Sequence, residues 1–212
     1  MAKKHKVFIV DDHPILVDGL TKMINHEKDM EFCGSASSCR EALEEIASAK
    51  PDIAIIDINL KDSSGLDLIT SLSIPVLVLS MHDENVYAER ALLAGARGYI
   101  MKEEKAEKMV HAIRHILSGQ IYLSPNITTK ILDRRIGKSI SDSPLETLSN
   151  REIAVFQMVG EGFTRREIAQ KLFLSPKTID SYYSHIKEKL NLKNNQELIR
   201  KATLHVHSPG IK

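Results

Sequence analysis

The chain has 212 residues, 42% hydrophobic and 27% charged, values of ordinary packed domains that exclude a disordered, fibrous or collagen-like protein and suit two small domains. Two cysteines, Cys33 and Cys39, are too few for a disulfide framework, the opening residues lack an apolar secretory stretch, and no run approaches the ~18 apolar residues of a membrane span; a soluble, cytoplasmic protein without membrane partners is expected. The net charge of +1 hides an asymmetry, with 14 Lys/Arg against 19 Asp/Glu in residues 1–120 and 10 against 7 in residues 146–205, a basic surplus that suits nucleic acid but equally a solvated helical surface.

Residues 1–122 alternate strand and helix. Val7-Phe8-Ile9-Val10, Ile53-Ala54-Ile55-Ile56, Val76-Leu77-Val78-Leu79 and the shorter Gly98-Tyr99-Ile100 are continuous apolar runs, as strands buried on both faces of a parallel sheet must be. Met30-Glu31-Phe32-Cys33 is a weaker strand signal. Helical spacing joins Leu16, Leu20, Met23 and Ile24, then Ala42, Leu43, Ile46 and Ala47, and then Ala106, Met109, Val110, Ile113, Ile116 and Leu117. Five strands alternating with helices predict a doubly wound α/β domain.

In such a fold the reactive crevice lies at the carboxyl ends of the strands, where strand order reverses. The first strand ends in Asp11-Asp12, the third in Asp57 and the fourth in Ser80, and Lys102 follows the fifth. Any one Asp at a strand end also suits a turn or a helix cap. If the first and third strands are neighbours, however, three carboxylates converge and repel, which calls for a divalent cation. A hard ion such as Mg2+ fits oxygen donors of this kind. A hydroxyl and an ammonium opposite it complete a cradle for a phosphoryl group.

The strings Val10-Asp11-Asp12-His13-Pro14, Ile56-Asp57-Ile58-Asn59-Leu60, Leu79-Ser80-Met81-His82 and Ala94-Gly95-Ala96-Arg97-Gly98-Tyr99-Ile100-Met101-Lys102 resemble the receiver domain of bacterial two-component response regulators over its whole length, a flavodoxin-like (βα)5 fold. The resemblance implies that Asp57 accepts a phosphoryl group from a sensor histidine kinase. Asp12 and Asp57 then ligate Mg2+ directly with the backbone carbonyl of Asn59, while Asp11 acts mainly through water. Lys102 pairs with the phosphoryl oxygens, Ser80 hydrogen-bonds to one of them, and Tyr99 is the aromatic switch whose ring turns inward. Two positions depart from the usual pattern: Glu103 follows Lys102 where Pro is frequent, and Met81 stands where a small residue is common.

Residues 123–145 read as a connector. Ser124-Pro125 signals a helix start, with Ile127, Ile131 and Leu132 as its apolar stripe. Gly137 through Pro144 reads as flexible linker, with a random-coil span of about 16 Å.

Residues 146–212 read as all helix. Ser149-Asn150-Arg151-Glu152 and Thr164-Arg165-Arg166-Glu167 are capping-box patterns. Ala154, Val155, Met158 and Val159 stripe the first helix, and Ile168, Ala169 and Leu172 the second. Ser175-Pro176 opens a third helix to about Leu190, with Ile179, Tyr183, Ile186 and Leu190 on one side. Lys177, Ser181, Ser184, His185 and Glu188 lie on the other. A short helix, a brief turn and a longer helix make a helix-turn-helix pattern, although a protein-binding helical bundle shows the same stripes.

Leu148-Ser149-Asn150-Arg151-Glu152, Ile168-Ala169-Gln170-Lys171-Leu172 and Ser175-Pro176-Lys177-Thr178-Ile179 resemble the DNA-binding domain of the LuxR, NarL and FixJ group. The resemblance implies Asp180, Ser181 and Ser184 toward base edges, with Lys177, Thr178, Lys187 and Lys189 nearer phosphates of double-stranded promoter half-sites. Asp180 is a departure, because a basic or amide residue is frequent there; an acid cannot bond a phosphate, though it can accept from a cytosine amino group. The final helix, with Leu198, Ile199 and Ala202, is the group's usual dimerisation element, and RNA polymerase is a further candidate partner. His111 and His115 have metal-ligand spacing without a third ligand, and His205 and His207 fall in an expected frayed tail. The expected function is a phosphorylation-dependent dimeric transcription regulator rather than an enzyme. The alternatives are an orphan regulator that binds DNA independently of phosphorylation, and an Asp-nucleophile phosphohydrolase, for which a substrate-capping insertion is missing.

Overall fold

β1 (His5–Val10) is built from four consecutive apolar residues, Val7 to Val10, none of which reaches solvent. Such a strand requires neighbours on both edges and cover on both faces. The computed structural model, which describes residues 3–60, 64–81, 83–136 and 144–207, supplies them. β2 (Met30–Ala36), β3 (Ile53–Ile56), β4 (Val76–Ser80) and β5 (Gly98–Met101) complete a parallel sheet of order β2-β1-β3-β4-β5. The helices between and after them are α1 (Pro14–His26), α2 (Cys39–Ala49), α3 (Gly65–Thr70), α4 (Glu84–Ala94) and α5 (Ala106–Leu117). Val7, Ile9, Ile55, Leu77 and Leu79 on one face pack against Leu20 and Ile24 of α1 and Ile113 and Ile116 of α5. This is the doubly wound domain that the alternation predicts.

The chain leaves β1 for β2 on one side and returns to β3 on the other, so strand order reverses at the β1–β3 seam. Val10 pairs with Ala36 and with Ile56. Beyond it, the Asp11 N–H donates to the Ala36 carbonyl at 3.0 Å and the Asp57 N–H to the Val10 carbonyl at 2.9 Å. The ladder thus delivers both acids side by side at the edge of the sheet.

Several elements differ from their sequence signals. β2 runs to Ala36, and its pairing skips from Phe32 to Gly34 opposite Val7 and Phe8. Gly34 has a φ of 154°, and a Cβ there would lie 2.7 Å from the Phe8 ring, so the edge strand bulges where the ring needs room. Leu43 is exposed rather than packed. α3 and α4 carry no clean helical stripe in the sequence and emerge only in the structure.

The connector helix α6 (Pro125–Arg135) is present, and it docks on α4 within the same unit. Ser124 donates from its hydroxyl to Glu84 at 2.9 Å, and Lys130 to the Asn85 carbonyl at 3.3 Å. Of its expected stripe Ile127 is buried, whereas Leu132 is exposed. Residues 137–143 of the expected linker lie outside the described residues, and Pro144 opens a 3-10 turn, Pro144–Thr147.

Residues 144–207 form a second unit of four helices: α7 (Asn150–Gly160), α8 (Arg165–Lys171), α9 (Pro176–Lys189) and α10 (Asn195–His207). Both capping boxes form, Ser149 with Glu152 and Thr164 with Glu167. The expected frayed tail is instead the last turns of α10, where the His205 ring packs 5.9 Å from that of Phe156. Among the described residues no helix is long and apolar enough to cross a membrane.

Candidate functional site

At the edge of the β1–β3 seam, Asp11 and Asp57 are buried and Lys102 reaches both. Its Nζ lies 2.7 Å from Asp11 Oδ2 and 2.6 Å from Asp57 Oδ2, with 6% of the lysine side chain exposed. Burial pushes the Asp57 carboxyl above its ordinary range; the Lys102 ammonium opposes the shift without cancelling it, and the Asp11 charge adds to it. Burial acts on Lys102 in the opposite sense, but the two carboxylates outweigh it and hold the ammonium more firmly protonated than usual. The site is therefore a largely buried charge cluster with an excess of negative charge.

Asp12 completes the cluster. Its Oδ1 is buried and accepts no hydrogen bond, although His13 Nδ1 lies 3.0 Å away. A buried carboxylate oxygen without a partner is costly, and it fits a divalent cation held by Asp12 and its neighbours. One ligand atom from each of Asp11, Asp12, His13 and Asp57 lies within 4.8 Å of the others. Asn59 stands two residues beyond Asp57, its N–H donating to Asp57 Oδ1 at 3.3 Å.

On β4, Ser80 is fully buried, and on β5 Tyr99 is 2% exposed. The two side chains hydrogen-bond to each other, and burial holds the tyrosine phenol far above its ordinary range. The ring expected to turn inward is thus already inward, engaging the hydroxyl that was expected to face a phosphoryl group.

The exposed side of α9 carries Lys177, Asp180, Ser181 and Ser184, while Ile179, Tyr183 and Ile186 are buried beneath it. Ser181 donates its hydroxyl to the Lys177 carbonyl at 3.2 Å and Ser184 to that of Asp180 at 3.1 Å, which leaves both oxygens free to accept. The Thr178 backbone N–H is taken by the Ser175 cap at 3.1 Å, and the two hydroxyls lie 2.8 Å apart. Lys187 is half-buried. Two residues are otherwise engaged. Lys189 Nζ lies 2.6 Å from Oε2 of the buried Glu152, and Asp180 Oδ1 lies 2.9 Å from Nε of Arg165, whose guanidinium sits 4.4 Å above the Tyr183 ring.

Residues 7–114 match the family of the response regulator receiver domain, and residues 146–202 match that of the bacterial regulatory proteins of the luxR family. The chain is 32% identical over 209 residues to the oxygen regulatory protein NreC of Staphylococcus epidermidis, covering 93% of this chain and 96% of that one. It belongs to the NarL/FixJ-type response regulators. A crystal structure of a LuxR-family response regulator from Aurantimonas sp. is 28% identical, with a TM-score of 0.58 over 63% of this chain and 99% of that one. RcsB of Salmonella typhimurium, at 22% identity, shares the fold with a TM-score of 0.71 over 96% of this chain and 98% of its own.

As a two-component response regulator the protein is a transcription regulator with a receiver and a DNA-binding helix-turn-helix. A receiver implies a histidine kinase partner and an acidic pocket that takes Mg2+. Two residues of this pocket escape the sequence reading. His13 donates its backbone N–H to Asp11 Oδ1 at 2.9 Å and brings its ring to the same oxygen; the Asp-Asp-His-Pro string was its only signal. At Gly65 a Cβ would stand 2.1 Å from the Asp57 carbonyl oxygen, a contact no local pattern announces. The expected dimer helix is α10, and its named residues divide. Leu198 and Ala202 have no exposed surface and pack α10 against α7, so they belong to the unit's own core, whereas Ile199 is exposed.

Proposed function

We propose that this response regulator is switched by phosphorylation of Asp57 and then binds promoter half-sites as a dimer. The observation that carries the reading is the Lys102 ammonium bridging Asp11 and Asp57 in a buried pocket. An Asp57 carboxylate oxygen attacks the phosphorus of a kinase phosphohistidine; the P–O bond forms as the P–N bond breaks, and the leaving imidazole takes a proton. Asp11, Asp12, Asp57 and the Asn59 carbonyl would hold Mg2+, which supplies charge neutralisation for the incoming phosphoryl oxygens. Lys102 exchanges a carboxylate for a phosphoryl oxygen, and Ser80 turns from Tyr99 to donate to another. On α9, Lys177 and Lys187 contact phosphates and Ser181 and Ser184 read base edges. Lys189 and Asp180 serve first as partners of Glu152 and Arg165, and Thr178 supports the cap at Ser175. In this reading residues 1–122 are the receiver, 123–145 the connector and 146–212 the DNA-binding domain.

The test is DNA titration and sedimentation of the full chain with and without beryllium fluoride, against Asp57→Asn. Tighter DNA binding and dimer formation in the treated wild type alone support the reading; identical behaviour in all samples overturns it. A second reading, an orphan regulator independent of phosphorylation, draws support from Tyr99, which is already inward and bonded to Ser80. Full DNA affinity in Asp57→Asn is the outcome that favours it.

A further inference from the structure

We propose that Arg165 of α8 contacts a DNA phosphate and is held in position for it by Asp180 and Tyr183 of α9. The inference rests on the reading of α9 as the recognition helix and assigns a residue that this reading leaves out.

Asp180 lies on the exposed side of α9 with Lys177, Ser181 and Ser184. A lone carboxylate there repels the phosphates of a bound duplex. Asp180 is not alone: its Oδ1 lies 2.9 Å from Nε of Arg165, and the Arg165 guanidinium stands 4.4 Å above the ring of Tyr183. Asp180 and Tyr183 are three residues apart and so neighbours on one face of the helix. They hold the guanidinium on two sides, the carboxylate at its Nε edge and the ring beneath its face. The ring belongs to the core of the unit, with 5% of the residue exposed, so packing fixes the platform. Nε is buried and forms no hydrogen bond, so Asp180 acts on it by charge.

The far edge of the guanidinium remains open. Among the described residues neither Nη is hydrogen-bonded, and 41% of the side chain is exposed. A guanidinium presents its donors as a rigid fork, and two parallel N–H groups on one edge match two phosphate oxygens. In a helix-turn-helix the first helix crosses the phosphate backbone while the second lies in the groove, which brings an α8 side chain that leans toward α9 to the phosphates. Stapling α8 to α9 is the other duty open to this pair, but a pair with 41% and 63% of its side chains exposed gains little stability from it.

The test is titration of the full chain with a random-sequence duplex over a range of salt concentrations, since a phosphate contact needs no cognate site. Arg165→Met keeps an apolar stem over Tyr183; it should weaken binding about tenfold and lower the salt slope by about one unit. Asp180→Asn removes a repulsive charge, yet it should weaken binding about threefold in the wild-type background. In the Arg165→Met background, where only the repulsion is left, the same change should tighten binding. An unchanged salt slope in Arg165→Met overturns the proposal and leaves the pair as a staple, registered by a lower urea midpoint alone. Tighter binding by Asp180→Asn in both backgrounds also overturns it, since the acid then only repels. Lys187→Ala separates the two readings. A lower slope in that variant with none in Arg165→Met defeats this proposal alone, and an unchanged slope in both defeats α9 as the recognition helix as well.

Discussion

The ammonium of Lys102 lies 2.6 Å from Asp57 Oδ2, yet the Asp57 carboxyl remains harder to ionise than a free one because burial outweighs that attraction. A folded pKa above the unfolded 3.8 means that ionised Asp57 costs stability, a cost that appears as pH rises through 3.8 and is complete above the folded value. Asp57→Asn should therefore be more stable than wild type at pH 7 and equal to it below pH 3.8. Urea midpoints at both ends of that window check the sign. A wild type more stable than the variant at neutral pH contradicts the assignment. The same variant should show no mass gain with acetyl phosphate.

Lys102→Ala removes the cation from between two buried acids. Breaking such a pair by deleting one partner costs about 3–5 kcal/mol in a dry interior, and a deficit near the lower end is expected at pH 7. The deficit should shrink as acid protonates Asp57. A loss that does not change with pH would mean that only the packing of the lysine stem mattered.

Gly65→Ala tests the contact that anchors the loop after β3. The added carbon would stand 2.1 Å from the Asp57 carbonyl oxygen and 3.0 Å from Ile58 Cα, both backbone atoms, so α3 or the loop must move. Overpacking of this kind costs about 1–3 kcal/mol. Phosphoryl uptake should fall more than stability does, because the displaced backbone carries Asp57 itself. Uptake at the wild-type rate would show that the loop yields without moving the acid.

Glu152 joins α7 to α9. Burial alone would raise its pKa, but Lys189 and the Ser149 cap outweigh burial and lower it from 4.5. A depressed pKa stabilises the fold above pH 4.5, and that stability is lost as pH falls through the folded value. Glu152→Gln should cost about 1–2 kcal/mol at pH 7, with the gap to wild type closing in acid. A gap that persists below the folded pKa would locate the effect in the cap alone.

The lysines of α9 should separate by role. Lys187→Ala should weaken cognate and random DNA alike and lower the salt slope by about one unit, while Ser184→Ala should narrow the gap between the two DNAs. Lys189→Ala, paired as it is with Glu152, should lower the melting temperature as well as affinity. Selective loss of the cognate site in Lys187→Ala would put the recognition face elsewhere.

β1, β3 and β4 were legible because a strand buried on both faces can be written only in apolar residues. The acids at their ends could be read as a cluster because topology alone brings them together. α3 is six residues long, too short to show a period. α4 buries Val86, Tyr87, Ala88 and Ala91 among charged neighbours while Leu93 is exposed, which blurs its stripe. Contacts across elements left no trace in the sequence: the α6–α4 dock, Lys189 on Glu152, and Gly65 against Asp57.

The burial of Leu198 and Ala202 against α7 leaves α10 with Ile199 and Leu204 as its exposed aliphatic residues. Two such side chains are a small part of the roughly 1,200 Å2 that a stable interface covers. If the proposed dimer pairs through this helix, the contact alone is a small contribution between free molecules and gains most where a duplex already holds two copies together, the local concentration doing what the contact area cannot. Occupancy of adjacent half-sites should accordingly rise steeply with protein concentration and depend on their spacing, so that the geometry of the promoter, as much as its sequence, selects where this regulator acts.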